Sequence, residues 1–190
     1  MQLADFIAHS TSRECGLGGA HVVGVRLYTT ATFVDINGPL RDLQRYTNKE
    51  ARRRPITVAF IREAIGKLRA VGAASSEQAN KQVDLYRGMK DVVMPGEFLA
   101  QGGTELAPMS TTSNLKIALE YSASPKAVLL RLRTRNFMQR GPDISFLSAF
   151  PGEDEYLFPP LTYLSPTGTT ETLEVDDATY HVIDVKPRMS

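Results

Sequence analysis

The hydrophobic pattern of this chain changes period near its middle, and that change constrains the fold more than any single motif. In the first half, Val58, Ile61, Ile65 and Leu68 recur at three- and four-residue spacing, with Arg62, Glu63, Lys67 and Arg69 between them. That spacing predicts a helix with one buried face. Pro55 can open it, because the first helical turn has no use for the amide hydrogen that proline lacks. A shorter helix around Leu40 to Tyr46 is expected after an Asn37-Gly38-Pro39 turn, and Gln78 to Gln82 reads as a polar connector. The second half reads mainly as strand. Val83-Asp84-Leu85-Tyr86-Arg87-Gly88 alternates apolar and polar residues and ends at glycine. Ala127 to Arg133 is β-prone and partly two-sided, and His181 to Val185 is a short β-branched run expected at a sheet edge. One helix interrupts these strands, capped by Ser113 and running through Leu115, Ala118, Leu119 and Tyr121. Helices followed by a strand-rich half predict an α+β domain, not an alternating parallel fold.

Composition narrows the function. With 190 residues, 42% of them hydrophobic and 23% charged, the chain suits one globular domain with a real core. A formal net charge of +1 gives no basic stripe for nucleic acid. The densest basic run, Arg52-Arg53-Arg54, reads as a solvated helix entrance. Cys15 is the only cysteine, which excludes an intrachain disulfide framework and a thiolate metal site. His9, His21 and His181 are scattered and not at metal-ligand spacing. The N-terminus lacks a positive leader with a long apolar core, and no stretch reaches membrane-spanning length. The chain therefore reads as intracellular (cytoplasmic), or as one domain of a larger protein. Gly16-Leu17-Gly18-Gly19-Ala20 lacks the lysine and hydroxyl residue of a phosphate loop and reads as a flexible turn. Phe137-Met138-Gln139-Arg140 reads as an ordinary loop.

Three features carry chemistry. Arg87 ends a strand and precedes Gly88, where a missing side chain lets a ligand approach the backbone. An arginine there can grip a diphosphate with two parallel hydrogen bonds. Met109-Ser110-Thr111-Thr112-Ser113 is a hydroxyl cluster before a helix; if Ser113 is the cap, Ser110 has no capping role. In Phe150-Pro151-Gly152-Glu153-Asp154-Glu155-Tyr156, two acids sit one residue apart after a Pro-Gly turn. In an extended strand, side chains at i and i+2 share a face, so Glu153 and Glu155 would converge while Asp154 turns away. Such a pair suits an oxocarbenium-like carbon, a guanidinium or a metal ion. Taken singly these features also fit an ion-paired arginine, a helix cap and a solvated acidic turn.

The order Arg-Gly, Ser-Thr-Thr, Glu-x-Glu resembles the arginine–serine–glutamate class of mono-ADP-ribosyltransferases, with its Glu-x-Glu motif. The likeness extends to Tyr28-Thr29, Phe33, Ile36-Asn37 and Leu40-Arg41, which resemble the family's N-terminal run, and to Asp143 through Pro160, which resembles its catalytic loop and strand. It runs from about Val25 to the C-terminus, which implies an N-terminal extension over 1–24 and a catalytic domain over 25–190. The implied fold is a split β-sandwich around an NAD cleft, with a helical first half and a strand-rich second half.

The implied substrate is NAD⁺, contacted by Arg87, Gly88, Ser110, Thr111 and Asn37, with no metal. The element after Met109 reads Ser-Thr-Thr-Ser, so Ser110 and Thr111 both qualify as the catalytic hydroxyl; the large apolar residue before the family's serine favours Ser110. Glu155 would stabilise positive charge on the ribose as nicotinamide leaves, and Glu153 would orient an arginine side chain of a protein acceptor. Arg87 stands where the poly-ADP-ribosylating branch has histidine, which argues against chain elongation. The same site suits an NAD⁺ glycohydrolase that uses water, and a non-catalytic relative would keep binding alone.

Overall fold

A computed structural model of the chain describes residues 2–48, 54–74, 81–125, 127–176 and 178–189. Arg52 and Arg53 of the basic run, and 78–80 of the expected connector, lie outside these residues. Helices come first: α1 Leu3–Ala8, α2 Ser10–Glu14, α3 Gly19–Tyr28, α4 Phe33–Arg41, α5 Leu43–Thr47 and α6 Pro55–Ala74. α6 starts at Pro55 and buries Ile61, Ala64, Ile65 and Leu68, the face that the three- and four-residue spacing predicts. That face packs with Val22 and Val25 of α3, and with Leu17 in the turn between α2 and α3; Gly19 and Ala20 of the expected turn open α3 instead. Ile144, Leu147 and Leu157 join the same cluster from the second half of the chain. Each such side chain contributes about 1.5–3 kcal/mol on burial. Residues 2–24 supply Phe6, Cys15 and Leu17 to this core, and α3 runs across position 24.

Asn37-Gly38-Pro39 is not a turn. It lies inside α4, whose buried face is Ile36, Asn37, Pro39 and Leu40. The chain breaks after Arg41, where Asp42 is extended, and α5 follows. Burial of that face outweighs the amide hydrogen missing at Pro39.

The second half forms strands β1 Val83–Met89, β2 Gly103–Glu105, β3 Met109–Thr112, β4 Ala127–Thr134, β5 Glu155–Phe158, β6 Thr162–Val175 and β7 Ala178–Arg188, with α7 Gly96–Gln101 and α8 Leu115–Ser122 between them. The strand order is β2-β6-β7-β4-β1-β3-β5, so the domain is α+β with one curled sheet. β4 and β7 pair in parallel; the other pairings are antiparallel. Side chains alternate as a pleated sheet requires. Leu85, Leu130, Leu132, Ile183 and Val185 face one core cluster, while Leu129 and Val182 face α8 through Ala118.

One sequence expectation fails here and one strand went unforeseen. His181–Val185 lies in an eleven-residue strand buried between β6 and β4, not at an edge. β6 was not expected, because its outer half is exposed, rich in threonine and broken by Pro166 and Gly168. The register shifts between Pro166 and Thr170, which is where a strand proline is tolerated.

β1 and β3 are joined by a single register pair, Tyr86 with Thr112. That weak seam splits the sheet into a broad arm, β2-β6-β7-β4-β1, and a narrow arm, β3-β5.

Candidate active site

A cleft of about 320 Å³ opens along the seam, at the lower end of the roughly 300–1,000 Å³ usual for small-ligand sites. Tyr86, Arg87 and Gly88 of β1 line one side, with Ser110, Thr111 and Thr112 of β3 and then Glu155 of β5 across it. Tyr28, Asn37 and Phe33 come from the helical half, and Ala118, Tyr121, Phe150 and Glu153 complete the rim. All seven residues that the sequence singled out for the site (Asn37, Arg87, Gly88, Ser110, Thr111, Glu153, Glu155) line this one cleft.

Glu155 is the best-anchored group in it. It opens β5, is 6% exposed, and holds two hydroxyl donors, one on each oxygen. Ser110 Oγ donates to Oε1 at 2.7 Å and Ser148 Oγ donates to Oε2 at 3.1 Å. Burial raises its pKa above the ordinary carboxylate value; the two hydroxyls pull it back, and the charge of Glu153 pushes it up. The result is a carboxylate of fixed orientation with little hydration. Thr111 turns to the other side, where its hydroxyl donates to the Tyr156 carbonyl at 3.0 Å. Of the two candidate hydroxyls, Ser110 therefore meets the acid.

Glu153 and Glu155 do share the cleft, but not through strand alternation. Pro151–Glu153 is a single 3₁₀ turn, and Asp154 is left-handed at φ 47°. The strand starts only at Glu155. β3 holds this kink: Thr112 Oγ1 donates to the Glu153 carbonyl at 2.5 Å, and Ser113 N–H donates to the Asp154 carbonyl at 3.3 Å. An aspartate tolerates φ > 0 better than most residues. Glu153 Oε1 accepts a hydrogen bond from the Tyr121 hydroxyl at 2.8 Å.

On the opposite wall, Arg87 Nη1 donates to the Ser110 carbonyl at 2.9 Å, bridging the seam where strand pairing stops. Burial lowers its pKa, and Arg41 and Glu105 lie within electrostatic reach. Arg41 itself is held two-pronged on Glu105 at 3.0 and 2.9 Å. The cleft is thus positive along β1 and acidic at β5. Gly88 lines the cleft and also admits α8 against the sheet: a Cβ there would stand 2.1 Å from the Ala118 carbonyl oxygen. α8 is capped by Asn114, whose side chain accepts from Lys116 N–H at 3.1 Å, and not by Ser113.

Asn37 is buried beneath the cleft wall. Its Nδ2 donates to the Tyr28 hydroxyl at 3.3 Å and to the Pro108 carbonyl at 3.4 Å, and Tyr28 donates to the same carbonyl at 2.8 Å. Asn37 Oδ1 has no partner among the described residues. Sequence reasoning missed Ser148, Tyr121 and the anchoring role of Tyr28. Tyr121 reaches its carboxylate across 32 residues of chain and Ser148 from seven residues back in the loop before β5, and no regular spacing marks either. Phe137–Gln139 is a 3₁₀ turn remote from this cleft, with Phe137 packed against Gly72.

No protein-family model and no curated protein matches the chain. Solved structures do. ADP-ribosyltransferase HopU1 of Pseudomonas syringae pv. tomato DC3000 is similar over 95% of this chain and 82% of its own, with a TM-score of 0.68 and 18% identity. Plx2a, an ADP-ribosyltransferase toxin from Paenibacillus larvae, matches over 98% and 95%, with a TM-score of 0.66 and 16% identity. A mutant of the eukaryotic mono-ADP-ribosyltransferase ART2.2 in complex with NAD matches over 99% and 83%, with a TM-score of 0.63 and 14% identity. Helical half, curled seven-stranded sheet and the cleft between its arms together make this the mono-ADP-ribosyltransferase fold.

Proposed function

We propose that this chain is a mono-ADP-ribosyltransferase that cleaves the nicotinamide–ribose bond of NAD⁺ and transfers ADP-ribose to an arginine side chain of a protein. One observation carries the reading: a buried carboxylate, Glu155, is held by Ser110 and Ser148 in the same cleft as Arg87. Fold alone does not assign an activity. The charge layout adds to it, because NAD⁺ has an anionic diphosphate and a ribosyl–pyridinium end, and the cleft is basic along β1 and acidic at β5.

In this reading Arg87 binds the diphosphate. Glu155 faces the ribose and stabilises the oxocarbenium-like carbon as the C–N bond breaks and nicotinamide leaves with the bonding electron pair. A guanidine nitrogen of the acceptor then attacks that carbon, and its proton passes to Glu153. An arginine is charged and weakly nucleophilic, so a second carboxylate beside it has a purpose. Water in place of the guanidine gives NAD⁺ hydrolysis from the same site.

The test separates the two acids. NAD⁺ is incubated with and without a small guanidine acceptor, and free nicotinamide and ADP-ribosylated acceptor are measured separately. Glu153→Gln is expected to lose most transfer, by about 10²-fold, while nicotinamide release into water persists. Unreduced transfer by Glu153→Gln contradicts the acceptor role.

Ser110→Ala makes a pH prediction. The Ser110 hydrogen bond lowers the pKa of Glu155, so its loss raises that pKa further. The acidic limb of kcat/KM for NAD⁺ cleavage then moves to higher pH, with the rate at the optimum down about tenfold. A limb that stays in place contradicts the assignment of that limb to Glu155.

A further inference from the structure

Resting on the reading of the cleft as an arginine-directed transferase, we infer that Tyr121 is a positioning residue for Glu153 and sets the balance between ADP-ribosyl transfer and NAD⁺ hydrolysis. Its hydroxyl donates to Glu153 Oε1 at 2.8 Å, while among the described residues no donor reaches Oε2. One oxygen is tied down and the other is left for a guanidinium. The backbone of Glu153 is already fixed by the Thr112 hydroxyl on its carbonyl and by its own N–H on the Phe150 carbonyl. Only the side-chain torsions remain to be ordered. A solvated glutamate loses rotamer freedom when it is pinned. Tyr121 fixes that geometry before an acceptor arrives.

The donor stands on firm ground. Tyr121 lies in the last turn of α8, and α8 is locked to β1 by the close approach of Gly88 to Ala118 and Ser122. The ring is 54% exposed, so it is not held there as core. Loss of hydration and the neighbouring Glu153 and Glu155 push the phenol up to about 12, so it donates throughout the working pH range. Glu155 is held by a separate pair of hydroxyls and shares no donor with Glu153. The two acids are therefore separately adjustable: Ser110 and Ser148 serve bond cleavage, which both reactions need, and Tyr121 serves the acceptor, which only transfer needs.

The test is a double-mutant cycle with Tyr121→Phe, Glu153→Gln and the double variant, assayed with NAD⁺ and a small guanidine acceptor. Tyr121→Phe is expected to raise the acceptor KM and lower the ratio of transfer to hydrolysis by about tenfold. In the Glu153→Gln background the same change should leave that ratio within about twofold, because the carboxylate that Tyr121 orients toward the guanidinium is gone. Equal losses in both backgrounds, or an unchanged ratio in the single variant, overturn the role of Tyr121 while leaving the transferase reading intact. Failure of the intact protein to cleave NAD⁺ overturns both. Thermal melting of each variant distinguishes a positioning loss from a folding loss, and a fall in transfer that tracks a fall in Tm also counts against the inference.

Discussion

Glu155→Gln is expected to abolish NAD⁺ cleavage, by about 10³-fold or more, and to make the folded protein more stable near neutral pH. Both effects come from one feature. The carboxylate is buried, and its pKa is raised chiefly because its charge has lost hydration. A charge held in that state is available to stabilise a developing cation without rearrangement of water. It is also a cost to the fold. A carboxylate whose folded pKa lies above its unfolded value costs nothing below the unfolded value, about 4.5 for this glutamate. The cost grows as pH rises through the folded pKa and is complete above it. Glutamine keeps the shape and can share hydrogen bonds with Ser110 and Ser148, but has no charge. The variant should therefore melt above the wild type at pH 7, and the gap should close on acidification toward pH 4.5. Melting curves across that range, with nicotinamide release at each point, measure the two effects together. Equal melting temperatures at all pH values contradict the buried-charge account.

Gly88→Ala should produce the largest loss of stability of any one-carbon change at the cleft. The added Cβ would meet the Ala118 carbonyl oxygen at 2.1 Å and the Ser122 Cβ at 2.9 Å. A backbone oxygen cannot step aside as a long side chain does, so α8 must move from the sheet. Overpacking of this kind costs about 3 kcal/mol, or roughly 6–12 °C in Tm for a domain of this size. The movement carries Tyr121 with it, and the ratio of transfer to hydrolysis should fall even in molecules that stay folded. Gly152→Ala is the control: among the described residues nothing lies within 4 Å of its Cβ, and its φ is not in the left-handed region. If Gly88→Ala melts with the wild type, the packing role given to Gly88 is wrong.

What the sequence revealed and what it hid have physical reasons. α6 was legible because its apolar face repeats at helical spacing over about three turns and Pro55 marks its start. β1 was legible from alternation ending at glycine, and β4 from its β-prone, two-sided apolar run. β6 was not, because an exposed strand has no apolar rhythm, and its Pro166 and Gly168 are ordinarily turn signals. α4 was misplaced because Gly38-Pro39 looks like a stop, and only burial of Ile36 and Leu40 against the rest of the fold overrides it. At the cleft, residue types and order were enough to single out Arg87, Ser110, Glu153 and Glu155. Their geometry was not. The left-handed kink at Asp154 depends on Thr112 and Ser113 reaching back from another strand. The Tyr121 hydroxyl reaches Glu153 across 32 residues of chain, and Ser148 reaches Glu155 from seven residues back through a loop with no repeating spacing. Gly88 was read as room for a ligand; it also makes room for α8, which the sequence did not show, because a missing side chain does not say what packs against its place.

The most direct test of the account is release of nicotinamide from NAD⁺ by the intact protein, followed over time beside Glu155→Gln. The account predicts steady release by the intact protein, faster with a guanidine acceptor present, and none above background by the variant. Release at equal rates from both proteins, or from neither, would contradict it.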